Sequence, residues 1–373
     1  MAIQKFAFPT TIHFGPGARK LVAAHLLEAG CKRPLLVTDK GLAALPVLGE
    51  FRSFFSELNL DVFSGVQGNP VASQARAGAD AYRAHKADSV IGFGGGAALD
   101  VAKVVAQMAV HPGDVLEYAW DHPKVRPIDK PLPHFVALPT TAGTGSEVGR
   151  SSVISEDDTH VKRIVFSAAL LAKAVFADPE LTLGLPANIT AATGMDALTH
   201  NIESYLSPAY HPLCDGIALE GVRIAARALP LAFREPRNLQ ARGDMLMASM
   251  MGAIAFQKDL GAVHSCAHAL STVADLHHGL ANAMMIDHVM RFNRPAAEEK
   301  MKELARVAGA ADLISFLVQL KREIGIPDRL GAVGLKKVQI PRLVEIAVAD
   351  ICHQTNPRPC TKRDFEQLFA AAL

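Results

Sequence analysis

The stretch SVIGFGGGAALDVAKVVAQMA, Ser89 to Ala109, constrains the fold more than any other in the chain. A short apolar run enters the glycines Gly94, Gly95 and Gly96 and leaves them as a segment with apolar residues at helical spacing. A strand that passes straight into a covering helix belongs to a parallel sheet. Glycine lacks a Cβ, so the backbone can turn sharply and approach a ligand. A helix starting near Ala97 then offers free N–H groups and the positive end of its dipole, a combination that binds phosphate. A structural tight turn uses the same residues, and the spacing is not the GxGxxG of a standard Rossmann turn.

The first half repeats this alternation. Leu35 to Thr38, Ser89 to Phe93, Phe135 to Leu138 and Ala174 to Ala177 read as strands, and Gly17 to Ala29, Val47 to Leu58 and Val71 to His85 as helices. Arg150 to Ile154 and Arg163 to Phe166 flank the polar SEDDTHVK and read as a hairpin. Past Asp178-Pro179, Ala- and Leu-rich helical patterns take over and convincing strands disappear. Proline disfavours helical geometry in the residue before it and suits a first turn, so the boundary falls near Leu185-Pro186. A chain of 373 residues can build two cores. The expectation is an α/β domain over 1–185, a parallel sheet flanked by helices, followed by an all-α domain over 186–373.

Charge excludes some functions. The chain has 38 basic and 37 acidic residues and no basic run, which argues against nucleic acid as a partner. The mean hydropathy of +0.18 comes from dispersed Ala, Val and Leu, and no apolar run approaches the length that spans a bilayer. MAIQKFAFPTTIHFG lacks the pattern of a secretory leader. The five cysteines, at 31, 214, 266, 352 and 360, are scattered and form no CxxC, as expected of free thiols in a reducing cytoplasm.

A second polar turn, PTTAGTGSEVG, follows the strand ending at Leu138. Thr140, Thr141, Thr144 and Ser146 supply hydroxyls there, at the strand edge where open α/β sheets bind ligands. It also fits a connector that hydrogen-bonds its own backbone. Together with the glycine turn it points to a dinucleotide. Asp39, ending LLVTD, can accept hydrogen bonds from an adenosine ribose and repels a 2′-phosphate, favouring NAD over NADP; an exposed turn aspartate is the plain alternative.

The second half carries the metal-binding residue types. Five of the fifteen histidines lie between Gly261 and His288. His264 and His268 are i, i+4, on one helix face; His277 and His278 precede Gly279, where a glycine would end the helix and turn the chain back. Cys266, offset by two from both histidines, points elsewhere and is not counted as a ligand. Satisfied core histidines would give the same HxxxH. GMDALTH adds Asp196 and His200, again i, i+4. One carboxylate with imidazoles makes a mixed O/N site suited to Fe²⁺ or Zn²⁺.

In order, GFGGGAALDVAK, PTTAGTGSE, GMDALTHNIESY and HSCAHALSTVADLHHGLANA resemble the iron-containing, group III alcohol dehydrogenases, relatives of glycerol dehydrogenase and dehydroquinate synthase. With Asp39 included, the motifs run from about Asp39 to Ala283. The resemblance implies a dehydroquinate synthase-like fold: an N-terminal dinucleotide-binding α/β domain, a helical C-terminal domain and an active site in the cleft between them. By motif position Asp196, His200, His264 and His278 become the metal ligands, and His268 an unligated histidine suited to proton transfer. Gly95, Gly96, Thr140, Thr141 and Thr144 take cofactor positions, with Gly94, Asp100 and Ser146 counted beside them, Asp39 on the ribose side and Lys162 near the nicotinamide. Ala97 departs from the serine of many relatives.

The implied reaction is reversible hydride transfer between a primary alcohol, short diol or hydroxy acid and NAD, with a small-molecule alcohol or aldehyde as the only partner besides a second copy in a homodimer. Lys162, Arg163 and Lys258 are compatible with an anionic substrate tail and equally with surface lysines. The alternatives are a metal- and NAD-dependent lyase or cyclase of the dehydroquinate synthase type, a hydroxy-acid or semialdehyde reductase, and a non-enzymatic metal-binding protein.

Overall fold

The computed structural model describes Phe8 and residues 10–373; residues 1–7 and Pro9, part of the stretch read for a leader, lie outside the described residues. The chain forms two compact units. The first holds residues 10–141 and Gly145–Thr182, and the second holds Ala142–Thr144 with Leu183–Leu373.

The first unit contains strands β1 (Thr11–Phe14), β2 (Pro34–Asp39), β3 (Asp61–Val66), β4 (Ser89–Gly94), β5 (His134–Pro139), β6 (Ser151–Ser155), β7 (Lys162–Phe166) and β8 (Ala174–Ala177). Its helices are α1 (Val22–Glu28), α2 (Lys40–Ala43), α3 (Pro46–Ser53), α4 (Ala72–His85) and α5 (Gly96–Met108). Strands pair in the order β1-β8-β5-β4-β2-β3, all parallel, and β6 and β7 form an antiparallel hairpin. β4 and β8 are buried throughout, as expected for strands covered on both faces. Leu36, Ile91, Phe93, Val136 and Phe176 pack on Val22, Leu26, Phe51 and Phe55 from one side. On the other, Gly92 lets α5 close in: a Cβ there would stand 3.0–3.1 Å from Leu99 and Ala102.

Strands β1 and β3 escape the sequence reading. Both are sheet edges, part exposed, and TIHF and DVFSGV offer no continuous apolar run to detect. Two helix readings are also shortened. Ala18–Leu21 is a 3₁₀ turn ahead of α1, and α3 stops at Ser53 rather than Leu58.

The second unit contains α6 (Ala187–Leu206), α7 (Pro212–Arg234), α8 (Leu239–Ala255), α9 (Ala262–Ala274), α10 (His278–Val307), α11 (Leu313–Glu323), α12 (Ile340–Ala349) and α13 (Lys362–Ala372). No strand follows Ala177 among the described residues. α6 is buried nearly all round and packs on α7, α8 and α10, so polar residues on it must find partners inside the unit. α10 breaks at Ala297 (φ −137°, ψ 24°), just past Pro295, which cannot continue the ladder.

Gly279 does not end a helix. Asp275, left-handed at φ 48°, terminates α9, and Gly279 lies in the first turn of α10. The reason for glycine is contact: a Cβ would stand 2.2 Å from the Ala192 carbonyl oxygen of α6. Its absence lets α10 approach α6 closely where both carry histidines.

Candidate active site

Within the α/β unit, the turns after β2, β3 and β4 line a groove of about 270 Å³ that includes Asp39, Gly68, Gly95 and Ala97. β2 connects onward to β3 on one side and β4 to β5 on the other, so the groove lies where strand order reverses, the usual ligand crevice of such sheets. Gly94 adopts φ +155°, open to glycine alone, and Gly95 caps α5 with no side-chain hydrogen bond, leaving the first-turn N–H groups available to an anion. The Thr140 amide donates to the Gly94 carbonyl at 3.0 Å, and Thr141 lies against Gly95. These features suit a pyrophosphate. Asp39 has a second duty, since Oδ1 accepts from the Leu42 amide at 2.8 Å and caps α2.

Other sequence-selected residues sit elsewhere. Asp100 and Ser146 are buried and spend their polar atoms on each other: Ser146 Oγ donates to Asp100 Oδ1 (2.6 Å) and accepts from Lys103 Nζ (2.7 Å), while Asp100 Oδ2 accepts from Val153 N (2.9 Å). They tie α5 to the loop after β5, a structural duty that the sequence reading as cofactor contacts did not include. Thr144 belongs with Ala142 and Gly143 to the helical unit. Lys162 opens β7, opposite Ser155. Lys258 is no surface lysine; it is 1% exposed and paired with Asp215, and Arg163 is paired with Asp121 and Glu156. Both cations are already matched inside the protein, which removes them from the case for an anionic substrate tail.

In the helical unit three imidazoles converge on one oxygen. His200 Nε2 and His264 Nε2 lie 3.8 Å and His278 Nε2 3.5 Å from Asp196 Oδ1. α6 supplies Asp196 and His200, α9 supplies His264, and α10 begins with His278. A tetrahedral site with bonds of about 2.1 Å has ligand–ligand edges of about 3.4 Å, so this spacing suits a divalent cation of Fe²⁺ or Zn²⁺ size. Asp196, His200 and His264 are all buried. Burial drives His200 down to about 4, against the pull of Asp196 and Glu203, so its ring is neutral and keeps a lone pair to donate. Cys266, on α9 with His264, is buried in the apolar core and stays out of the set.

Residues the sequence reading did not single out hold this set in place. Glu203, one turn past His200, accepts from Val263 N (2.8 Å) and from His264 Nδ1 (2.6 Å), leaving Nε2 as the donor atom. The Asn282 amide lies 2.7 Å from Asp196 Oδ1, 3.3 Å from His264 Nε2 and 3.2 Å from His278 Nε2. Asn356 accepts from Ala262 N at 3.2 Å, so side chains from distant segments occupy the first amides of α9. His268 stands outside the converging set, its Nδ1 2.7 Å from Asp350 Oδ2 and its ring stacked 5.3 Å from that of His278. Glu203 lay within a quoted motif and was legible as the next turn of α6; Asp350 and Asn356 carry no signal near the histidines.

Comparison with known proteins agrees along the whole length. Residues 9–179 match the family model for iron-containing alcohol dehydrogenase, and residues 190–373 that for the Fe-containing alcohol dehydrogenase family, C-terminal. The 4-hydroxybutyrate dehydrogenase of Cupriavidus necator is 37% identical, covering 98% of each chain. The 1,3-propanediol dehydrogenase of Klebsiella pneumoniae is 36% identical, over 99% of this chain and 98% of that one. A crystal structure of 1,3-propanediol oxidoreductase superposes with a TM-score of 0.95 at 35% identity, covering 100% of both.

A parallel-sheet unit with a phosphate-ready turn and a helical unit with an Asp/His₃ donor set define a metal-dependent oxidoreductase. The chain belongs to the iron-containing alcohol dehydrogenase family. It is an enzyme that interconverts alcohols and aldehydes, and the lyase alternative is not favoured.

Proposed function

We propose that the chain transfers hydride reversibly between a short primary alcohol or diol and NAD, with Fe²⁺ held by Asp196, His200, His264 and His278; Zn²⁺ fits the same donors. The observation that carries this is the convergence of the three Nε2 atoms on Asp196 Oδ1 at 3.5–3.8 Å. When bound, the cation supplies Lewis-acid polarisation of the substrate oxygen and NAD takes up the hydride. The protein's own groups do the rest. The Gly94–Gly96 turn and the open first turn of α5 hold the pyrophosphate, with Thr140 and Thr141 beside it and Lys162 towards the nicotinamide. Asp39 meets the ribose, and His268 accepts the alcohol proton during oxidation and returns it during reduction.

Relatives named for 1,3-propanediol and NAD-dependent methanol support a short alcohol; the partners already bound to Lys258 and Arg163 favour a neutral substrate over an acid. We also propose a cytoplasmic homodimer. Its support is the family resemblance together with five free cysteines, which suit a reducing compartment. No helix among the described residues is long and apolar enough to cross a membrane.

The test is Asp196→Ala and His264→Ala, each assayed for bound metal and for NADH formation from short alcohols, diols and hydroxy acids, with Fe²⁺ and Zn²⁺ supplied separately. Metal and activity should fall together, and 1,3-propanediol should outperform 4-hydroxybutyrate. NADH formation by a variant that binds no metal sinks the metal assignment.

A further inference from the structure

We propose that Asp350 is a positioning residue that fixes the ring orientation and the tautomer of His268, so that Nε2 carries the lone pair that receives the substrate proton. This deepens, and rests on, the proton-transfer role given to His268. Asp350 follows the last residue of α12, 82 positions from His268 in sequence, and its Oδ2 lies 2.7 Å from His268 Nδ1. The other oxygen is occupied as well: Oδ1 accepts from Ser265 Oγ at 2.7 Å and from Cys352 N at 2.9 Å. Ser265 in turn accepts from His353 N at 2.9 Å, so the carboxylate is fixed to both α9 and the segment after α12.

The direction of this pair follows from its charge. Burial works to raise the Asp350 carboxyl, but His268 and the donors from Ser265 and Cys352 outweigh it and hold the group well below the usual carboxylate range. An ionised carboxylate can only accept, so Nδ1 bears a hydrogen, and whenever the ring is neutral the lone pair is on Nε2. α9 therefore carries two carboxylate–imidazole pairs one turn apart, Glu203 with His264 and Asp350 with His268. The buried pair belongs to the set around Asp196. The second, with the His268 side chain 15% exposed and outside that set, presents its Nε2 for proton exchange. During oxidation the hydroxyl proton passes to Nε2 and then to solvent; Asp350 keeps its charge throughout and stabilises the imidazolium.

Two measurements test this. In Zn²⁺-loaded, diamagnetic enzyme labelled with ¹⁵N-histidine, His268 should show the Nδ1–H tautomer, and Asp350→Asn should lose that preference. A mixed or Nε2–H tautomer in the unaltered enzyme overturns the proposal. In Fe²⁺-loaded enzyme, Asp350→Asn should lower kcat by about 100-fold or more at unchanged metal content, because the base loses the carboxylate that fixes its tautomer. It should also move the acid limb of the kcat–pH profile to lower pH, while Asp350→Glu recovers part of the rate. Added to His268→Ala, Asp350→Asn should cost little more. An equal loss in that background, with the pH profile unmoved, shows a purely structural role and overturns the proposal. Full kcat in His268→Ala with the tautomer result intact overturns the proton-transfer reading alone.

Discussion

Glu203 makes His264 a one-sided donor, and the cost of losing it can be stated. Glu203→Gln keeps the shape but can present an amide N–H towards Nδ1, freeing the ring to flip its tautomer away from the cation. Metal affinity should fall about 10–100-fold, read by titration of the metal-free protein; unchanged affinity would reduce Glu203 to a helix clamp through Val263 N. Asp39 is separable in the same way. Asp39→Gly removes the charge facing a 2′-phosphate and should improve kcat/KM with NADP relative to NAD. The lost cap on α2 costs only a few tenths of a kcal/mol, because glycine is tolerated at such positions. At this scale the residues that converge on Asp196 were legible and their supports largely were not. His264 and His268 look alike in sequence, and only the different carboxylates beside them, Glu203 and Asp350, separate their roles.

At the scale of elements, α5 is joined to the loop after β5 through Asp100, Ser146 and Lys103, with Glu147 buried beside them. Burial pushes the Glu147 carboxyl up to about 7, with the Lys103 charge pulling only part of the way back. A carboxyl whose folded value exceeds its unfolded 4.5 binds its proton more tightly when folded. Its stabilising contribution is full below pH 4.5 and is lost as pH rises through about 7. Glu147→Gln should therefore flatten the decline in Tm between pH 5 and pH 8; a variant that keeps the full decline would assign it to other groups. Sequence marked this region correctly as two turns after two strands. It did not show that Asp100 and Ser146 bond each other, because a hydroxyl in a polar loop can face a ligand or a neighbouring helix, and local pattern is the same for both.

For the whole molecule, the proposed site has one cation joining α6, α9 and α10 inside the helical unit. Ligation of the folded state stabilises it by about 2.7 kcal/mol when free metal is 100 times Kd. At about 2–4 °C per kcal/mol for a unit of this size, chelation should lower its Tm by about 5–10 °C; loss of all metal without a shift would show that the helices need no cation to stay packed. The central strands β2, β4, β5 and β8 and the change to helices after Asp178 were legible because burial on both faces, or on one helical face, forces an apolar pattern into the sequence. Edge strands β1 and β3 obey no such demand and left none. The sequence by itself determined the parallel sheet, the glycine turn, the helical second half and the i, i+4 spacing that puts Asp196 beside His200, since each depends on backbone sterics or local periodicity. Only the tertiary structure decided that Gly279 permits a close helix approach instead of ending a helix, that Lys258 is matched by Asp215, and that Asp350 reaches His268 from 82 positions away. Those outcomes depend on which distant groups share a desolvated space, and an unpaired charge or donor there is too costly to leave, whatever its neighbours in sequence.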